Sequence, residues 1–338
     1  MPLTRNCGTK IKASAMKYIL EVNNLSTAFK LQSGWHAATT DISFSLKPNE
    51  TLAVVGESGC GKSVTAFSLM GLLPKHGSRI QCGTALFRGE DLLTMPRERL
   101  RKIRGSAMTM IFQEPMTSLN PVLTVGSQIA EAVYYHMGVN MAAARKRALD
   151  LMDMVKIPAP ESRYNDYPHH LSGGMCQRIM IAMSLACEPD LVFADEPTTA
   201  LDVTIQAQML YLLHELKQKQ QMSMVFITHD LGVVAHVADR VAVMYAGTIV
   251  ETASVGELFK TPTHPYTRAL LNSIPRLDRD NSNLTPIQGM VPAIDAMPPG
   301  CRFFNRCPKS DQCRPDILPQ LLPLKDNPDH LVRCLLCE

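Results

Sequence analysis

Aromatic side chains are scarce in this chain. They make up 6% of its 338 residues, and tryptophan occurs once. Net charge is scarce too, at +3 from 34 Lys+Arg against 31 Asp+Glu. So small an imbalance disfavours a protein that coats nucleic acid, because phosphate binding needs a basic surface. Long apolar runs are absent, so no segment is expected to span a membrane. The first seventeen residues carry Arg5, Lys10, Lys12 and Lys17 but no apolar stretch, and no secretory signal is read there. What remains is an ordinary globular composition, 46% apolar and 19% charged, which excludes a disordered or fibrous chain. The length suggests two structural units.

Cysteine and proline are plentiful instead, and unevenly spread. Cys7, Cys60, Cys82, Cys176 and Cys187 are scattered, whereas Cys301, Cys307, Cys313, Cys334 and Cys337 crowd the C-terminal end. Twelve of the 23 prolines fall between Pro262 and Pro328, in and just before the same stretch. Without a secretory signal the thiols are expected to stay reduced, so a clustered set suggests metal rather than disulfides. Three segments follow: a basic, disordered leader over 1–17, an ordered body over 18–260, and a tail over 261–338 with its own architecture. Met16-Lys17-Tyr18-Ile19-Leu20 leads straight into the first strand, so Met16 is an alternative to Met1 as the start.

In the body, Ile42, Phe44 and Leu46 alternate with Ser43 and Ser45, a strand with one buried face. Thr51–Val55, Met108–Phe112, Leu191–Ala194 and Met224–Ile227 are short apolar runs, the mark of strands buried on both faces. Ser63–Leu73 and the amphipathic Thr204–Lys219 read as helices between them. This alternation gives a parallel sheet with crossover helices. From about Val122 to Pro168 the pattern is helical, with Ala142–Val155 the clearest helix. Val241–Val250, with Ala246-Gly247 between apolar runs, reads as a closing hairpin.

Gly56-Glu57-Ser58-Gly59-Cys60-Gly61-Lys62-Ser63 fits the G-x-x-x-x-G-K-[ST] phosphate loop, after a buried strand and before a helix that continues through Val64. Glycines let backbone N–H groups curl round an anion, and the helix N-terminus adds a positive dipole end. Lys62 is expected to reach the β- and γ-phosphates and Ser63 to ligate Mg²⁺. Cys60 occupies a free position of the loop, and its side chain is given no role. Asp195, ending the Leu191 strand, would hold Mg²⁺ through water, and Glu196 is placed to polarise the attacking water.

Leu171-Ser172-Gly173-Gly174-Met175-Cys176-Gln177-Arg178 resembles the LSGGQ-type signature of ATP-binding cassette (ABC) ATPases. Gln113 matches that family's Q-loop, Thr199-Ala200-Leu201-Asp202 its D-loop, and His229 its switch histidine. Phe29 is the adenine-stacking candidate, with Trp35 as the alternative. The resemblance implies an α/β P-loop NTPase cassette over 18–260: a RecA-like core with an antiparallel β-subdomain and a helical subdomain at about 115–170. It also implies head-to-tail pairs, in which ATP on one Walker loop is completed by the facing cassette's Ser172, Gly173, Gly174 and Gln177, with Asp202 nearby. Glu196, His229 and Gln113 are the implied catalytic set, and Gln113 with Ser63 the implied Mg²⁺ contacts.

Phe112–Pro121, reading FQEPMTSLNP, is similar to the peptide and nickel importer group, as are Met244-Tyr245-Ala246-Gly247 and His264-Pro265-Tyr266-Thr267. The resemblance to dipeptide-type ATPase subunits runs the full length. It implies an energy-coupling ATPase on the cytoplasmic face of the inner membrane. Its implied partners are a second cassette, favoured as a paralogue, two transmembrane permease subunits and an extracytoplasmic solute-binding protein. Peptides, nickel, glutathione or an opine-like solute all fit as cargo. Cys301, Cys307, Cys313 and Cys334 resemble the group's four-cysteine region, which implies a [4Fe-4S] cluster in a Cys/Pro-rich tail domain, with zinc as the alternative and Cys337 as a spare. The competing class, a soluble ABC ATPase acting on DNA or ribosomes, is disfavoured by the single cassette, the compact insertion and the near-neutral charge.

Overall fold

The computed structural model describes residues 17–199, 202–273 and 287–337. The leader, the Met16 start, and Ala200 and Leu201 of the D-loop lie outside the described residues.

The chain opens with a long hairpin, Leu20–Leu31 (β1) and Gly34–Leu46 (β2). It then enters the buried strand Thr51–Val55 (β3), whose five residues are all buried, and the helix Lys62–Met70 (α1). That helix stops short of the expected Leu73 because Gly71 takes the left-handed conformation, φ 61°, and caps it. Ser78–Phe87 (β4) returns to pair with β1, and Glu90–Asp91 (β5) pairs with β4, so that a four-stranded antiparallel sheet runs β2-β1-β4-β5. Arg97–Ile103 (α2) leads into Met108–Ile111 (β6).

A helical layer follows: Pro115–Ser118 (α3), Val125–Met137 (α4), Met141–Met154 (α5), Pro160–Arg163 (α6) and Gly173–Ser184 (α7). Thr124 and Asn140 cap α4 and α5 through their side-chain oxygens, which satisfy first-turn N–H groups and fix where each helix begins. Leu191–Asp195 (β7), Val203–Gln220 (α8), Ser223–Thr228 (β8), Leu231–Val237 (α9) and Arg240–Tyr245 (β9) complete a parallel set ordered β9-β3-β8-β7-β6.

The period of two is visible in the packing. Leu191 and Phe193 face the antiparallel sheet, while Val192 and Ala194 face the helical layer. Val225 and Ile227 divide from Met224 and Phe226 in the same way. Both faces are therefore dry, and each fully buried large side chain contributes about 1.5–3 kcal/mol.

Thr248–Ser254 (β10) folds back on β9 through the two-residue turn Ala246-Gly247, with φ 44° and 79°. Two positive φ values match a right-twisted hairpin, which is why glycine stands there. A Cβ on Gly247 would also lie 2.4 Å from the Ala38 carbonyl oxygen.

Val255–Lys260 (α10) and Pro265–Asn272 (α11) cover the β9/β10 end of the sheet. The tail does not stand apart as an architecture of its own. Its hairpin Leu322–Leu324 (β11) and Asn327–Val332 (β12) extends the main sheet, with β12 pairing β10, to give β11-β12-β10-β9-β3-β8-β7-β6. Phe303 is 1% exposed within the same core as Tyr245 and Tyr266. A Pro-rich segment with few large apolar residues cannot close its own core, so it borrows that of the sheet.

Candidate nucleotide and catalytic site

The loop after β3 is shaped by close backbone approach. A Cβ on Gly56 would lie 2.1 Å from the Met244 carbonyl oxygen, so only glycine lets the loop sit on β9. Gly61, φ 103°, turns the chain into α1. Gly247 N–H donates to the Cys60 carbonyl at 2.9 Å, so the β9–β10 turn props the loop from beneath. Lys62 is 5% exposed and folds back on the loop, donating to the carbonyls of Gly56 at 2.8 Å and Glu57 at 3.1 Å. Its ammonium is thereby held against the loop, the place from which it can meet an anion bound by the loop N–H groups. The Cys60 side chain points into the core, where burial pushes its thiol up to about 11.

Ser63 Oγ donates to Asp195 Oδ1 at 3.0 Å. Burial pushes the Asp195 carboxyl above the usual range, against the Ser63 hydrogen bond and Lys62. These are hard oxygen donors on facing elements, the type that suits Mg²⁺.

Glu196 follows Asp195 in the left-handed region, φ 44°, which aims its carboxylate back over the loop. Its Oε2 accepts from Thr199 Oγ1 at 2.9 Å and Gln113 Nε2 at 3.2 Å, with His229 Nδ1 at 3.2 Å. Its Oε1 lies 3.9 Å from Lys62 Nζ. Four elements thus converge on one carboxylate. Asp230 caps α9 and so fixes where His229 leaves β8. The contribution of Thr199 is new: a threonine in a D-loop match has no legible chemistry until the turn places it against Glu196.

A cleft of about 860 Å³ is lined by Gly56, Ser58, Gly59, Gly61, Lys62 and Ser63, and by Glu57, Val64, Gln113, Glu196, Thr199 and His229. Other expected groups lie elsewhere. Ser172 caps α7, its Oγ accepting from Met175 N–H at 3.3 Å, and with Gly173 it is exposed away from the cleft. Gly174 adjoins Ile205 of α8, and Asp202 caps that helix. Gln177 is 2% exposed, because five residues into α7 the helix has turned its side chain inward. It therefore does not share the exposed face of Ser172 and Gly173. Phe29 and Trp35 lie on the β1–β2 hairpin, and neither lines the cleft; Arg79 stacks its guanidinium 4.2 Å above the Trp35 ring. The walls there are formed instead by Ala38 and by Leu270, Val291, Pro292, Ala293, Ile294 and Met297.

In the tail, Cys301, Cys307, Cys313 and Cys334 line one small pocket with His264, Phe303 and Phe304. Burial pushes the Cys301 thiol up to about 11, and the three neighbouring cysteines add to the shift. Cys337 is hydrogen-bonded to Cys334. Among the described residues no three His, Cys, Asp or Glu side chains are arranged to hold a metal ion.

A family model described as "ABC transporter" matches residues 39–199, and one described as "Oligopeptide/dipeptide transporter, C-terminal region" matches residues 250–313. The chain is 50% identical over 321 residues to the dipeptide transport ATP-binding protein DppD of Bacillus subtilis (strain 168), covering 95% of each. It is also 50% identical to the oligopeptide transport ATP-binding protein AppD of the same organism, covering 96% of this chain and 98% of that one. Among solved structures it is similar to the dimeric ATP-binding cassette MJ0796 bound to ADP and Pi, with TM-score 0.63 and 26% identity over 70% of this chain and 98% of that one.

Proposed function

We propose, because this chain belongs to the ATP-binding subunits of ABC peptide transporters, that it hydrolyses ATP to drive peptide import and that the cleft beside Lys62 is where it does so. The single observation that carries this is the convergence of Thr199, Gln113, His229 and Lys62 on the Glu196 carboxylate at the mouth of the phosphate loop.

Lys62 and the loop N–H groups hold the β- and γ-phosphates. Ser63, Asp195 and Gln113 would hold Mg²⁺, which screens phosphate charge when bound. Glu196 takes a proton from the attacking water, and Thr199 and Gln113 hold the carboxylate in line for it. His229 contacts the γ-phosphate from the end of β8. Ser172 and Gly173 face outward with Gly174 just behind them, so their N–H groups and the α7 N-terminus serve the site of a second cassette. That cassette is read as a paralogue. Hydrolysis removes the γ-phosphate both halves hold, and the pair loosens.

A groove of about 900 Å³ between α2, β6, α4 and α7, lined by Leu72, Arg101, Phe112, Glu131, Tyr135 and Met180, is the proposed dock for a permease segment. Phe112 precedes Gln113, so the groove and Glu196 are linked through one peptide. Among the described residues no helix is long and apolar enough to cross a membrane. A peripheral place on the cytoplasmic face, beside two permeases and served by an extracytoplasmic binding protein, is the reading that joins these features. The Lys62→Ala chain is expected to lose Mg²⁺-dependent ATP hydrolysis by roughly a hundredfold or more, since the charge on the transferring phosphoryl group goes uncompensated. Unchanged hydrolysis in that variant, measured with the full transporter, excludes this loop as the site.

The tail pocket is read as a thiolate site. Four cysteines line one apolar pocket, and soft sulfur is the donor type of a [4Fe-4S] cluster, with tetrahedral zinc as the alternative. Cys301, Cys307, Cys313 and Cys334 would hold it, and it would supply cross-links to a segment with little core of its own. Protein made without oxygen is expected to be brown, with absorption near ~400 nm, and Cys307→Ser to bleach it while leaving nucleotide binding intact. Stoichiometric zinc without iron replaces the cluster, and neither metal removes the site.

A further inference from the structure

We infer that the tail is a working part of the nucleotide site: residues 291–297 form its nucleoside-facing wall, and Arg306 moors that wall to the phosphate loop. This rests on the reading of the cleft as an ATP site.

The cleft has two kinds of lining. The phosphate loop, Gln113, Glu196 and His229 are polar and suit a triphosphate. Leu270, Val291, Pro292, Ala293, Ile294 and Met297 are apolar and suit a base and sugar, which need a desolvated face more than a charge. These tail residues, with Ala38 and Val64, make up the apolar part of that lining. Their backbone is braced from behind, since Ile287, Val291 and Met297 pack against the core of Tyr245, Tyr266 and Phe303.

Arg306 ties this wall to the loop. Its side chain is 6% exposed. Nη1 donates to both Glu57 oxygens, at 3.0 and 3.1 Å, and to Tyr245 Oη at 3.3 Å. Nε donates to the Gln288 carbonyl at 2.8 Å and Nη2 to the Ile287 carbonyl at 3.2 Å. One planar guanidinium therefore holds the start of the wall segment with one edge and the phosphate loop with the other, which a lysine cannot do. Glu57 N–H also donates to Tyr266 Oη at 3.1 Å, so the second loop residue is gripped at backbone and side chain alike. The ion pair has an electrostatic purpose too. A carboxylate beside a triphosphate repels it, and Arg306 neutralises that carboxylate where the anion must sit.

The test measures binding of two probes to the full-length chain by calorimetry, each with Mg²⁺: a non-hydrolysable ATP analogue, and tripolyphosphate, which has no base or sugar. Ile294→Asn, which removes the apolar face without adding charge, is expected to weaken the analogue roughly tenfold, the scale of one lost good contact, and to leave tripolyphosphate unchanged. Arg306→Ala is expected to weaken both probes, because Glu57 is released. Arg306→Lys restores the charge without the fork, so tripolyphosphate binding recovers while the analogue stays weak. If Arg306→Ala does not fold, the lysine variant still decides the question. Ile294→Asn binding the analogue like the wild type, or weakening both probes equally, overturns the wall. Arg306→Lys binding both probes like the wild type overturns the mooring. A wild-type chain that binds neither probe instead refutes the ATP-site reading beneath it.

Discussion

Glu196→Gln is expected to lower the ATP turnover number by about 10²–10⁴-fold while ATP still binds. The substitution is nearly isosteric, so the Thr199, Gln113 and His229 contacts are lost only in part. What disappears is the charge that accepts a proton from water. Lys62 keeps its hold on the carbonyls of Gly56 and Glu57, at 2.8 and 3.1 Å, so the phosphate cradle survives. Its ion pair with Glu196 is long, at 3.9 Å, and contributes little to that cradle. Binding without turnover leaves the γ-phosphate in place, and cassette pairs bridged by ATP should accumulate. Single-turnover hydrolysis and size-exclusion chromatography with ATP read the two effects separately. Hydrolysis at the wild-type rate would remove Glu196 from the role of base. A fall in rate with a parallel fall in ATP affinity would make it a binding residue instead.

The contrast with Lys62→Ala shows why the site was legible in sequence. Both residues sit in local patterns where spacing encodes chemistry: eight residues between a buried strand and a helix, and an acidic pair at a strand end. Buried strands such as β3, β7 and β8 were equally legible, because a run dry on both faces has no polar alternation to blur it. The β9–β10 hairpin announced itself through Ala246-Gly247.

What was not legible depends on contacts between distant residues. Strand β4 carries Gly83, where a Cβ would meet Leu25 backbone, and its register with β1 shifts between Asn23 and Ser26. A bulged strand loses the strict alternation that marks it. The tail strands contain Pro323 and Pro328, which argue against a ladder until β11 proves to be the sheet edge and β12 to pair with β10 only at Leu331 and Val332, beyond Pro328. Arg306 meets Glu57 across 249 residues, and no spacing rule reaches that far. The tail was therefore read as separate because its composition is separate, whereas its burial is shared.

That shared burial sets up the second large effect, a loss of stability in acid. His264 is 1% exposed, and its Nδ1 accepts from Tyr266 N–H at 3.1 Å, which caps α11. A proton on Nδ1 would take away that cap. Burial pushes the imidazole down to about 4, against the opposing pull of Glu251 and of the Arg333 backbone. The charged or titratable neighbours are Glu251, His330, Arg333 and the cysteines of the tail pocket. Glu251 is itself fully buried. Burial alone would raise its carboxyl, yet His330, Thr267 and the N–H groups of Thr263 and His264 hold it below the usual range. For His264 the unfolded chain binds a proton below about 6.5 and the native chain only below about 4. Its contribution is thus complete above pH 6.5 and is lost as pH falls toward 4, by about 3 kcal/mol in all. Glu251 acts in a lower window, below the unfolded carboxylate value of 4.5, so the two are separable. His264→Asn keeps a capping oxygen at the start of α11 and removes the titration. Urea unfolding between pH 4 and 7 should show the wild type losing about 3 kcal/mol more than His264→Asn across that range. Parallel curves for the two chains would mean that the buried imidazole does not couple acid to the docking of α11, and that the acid sensitivity of this region begins with Glu251.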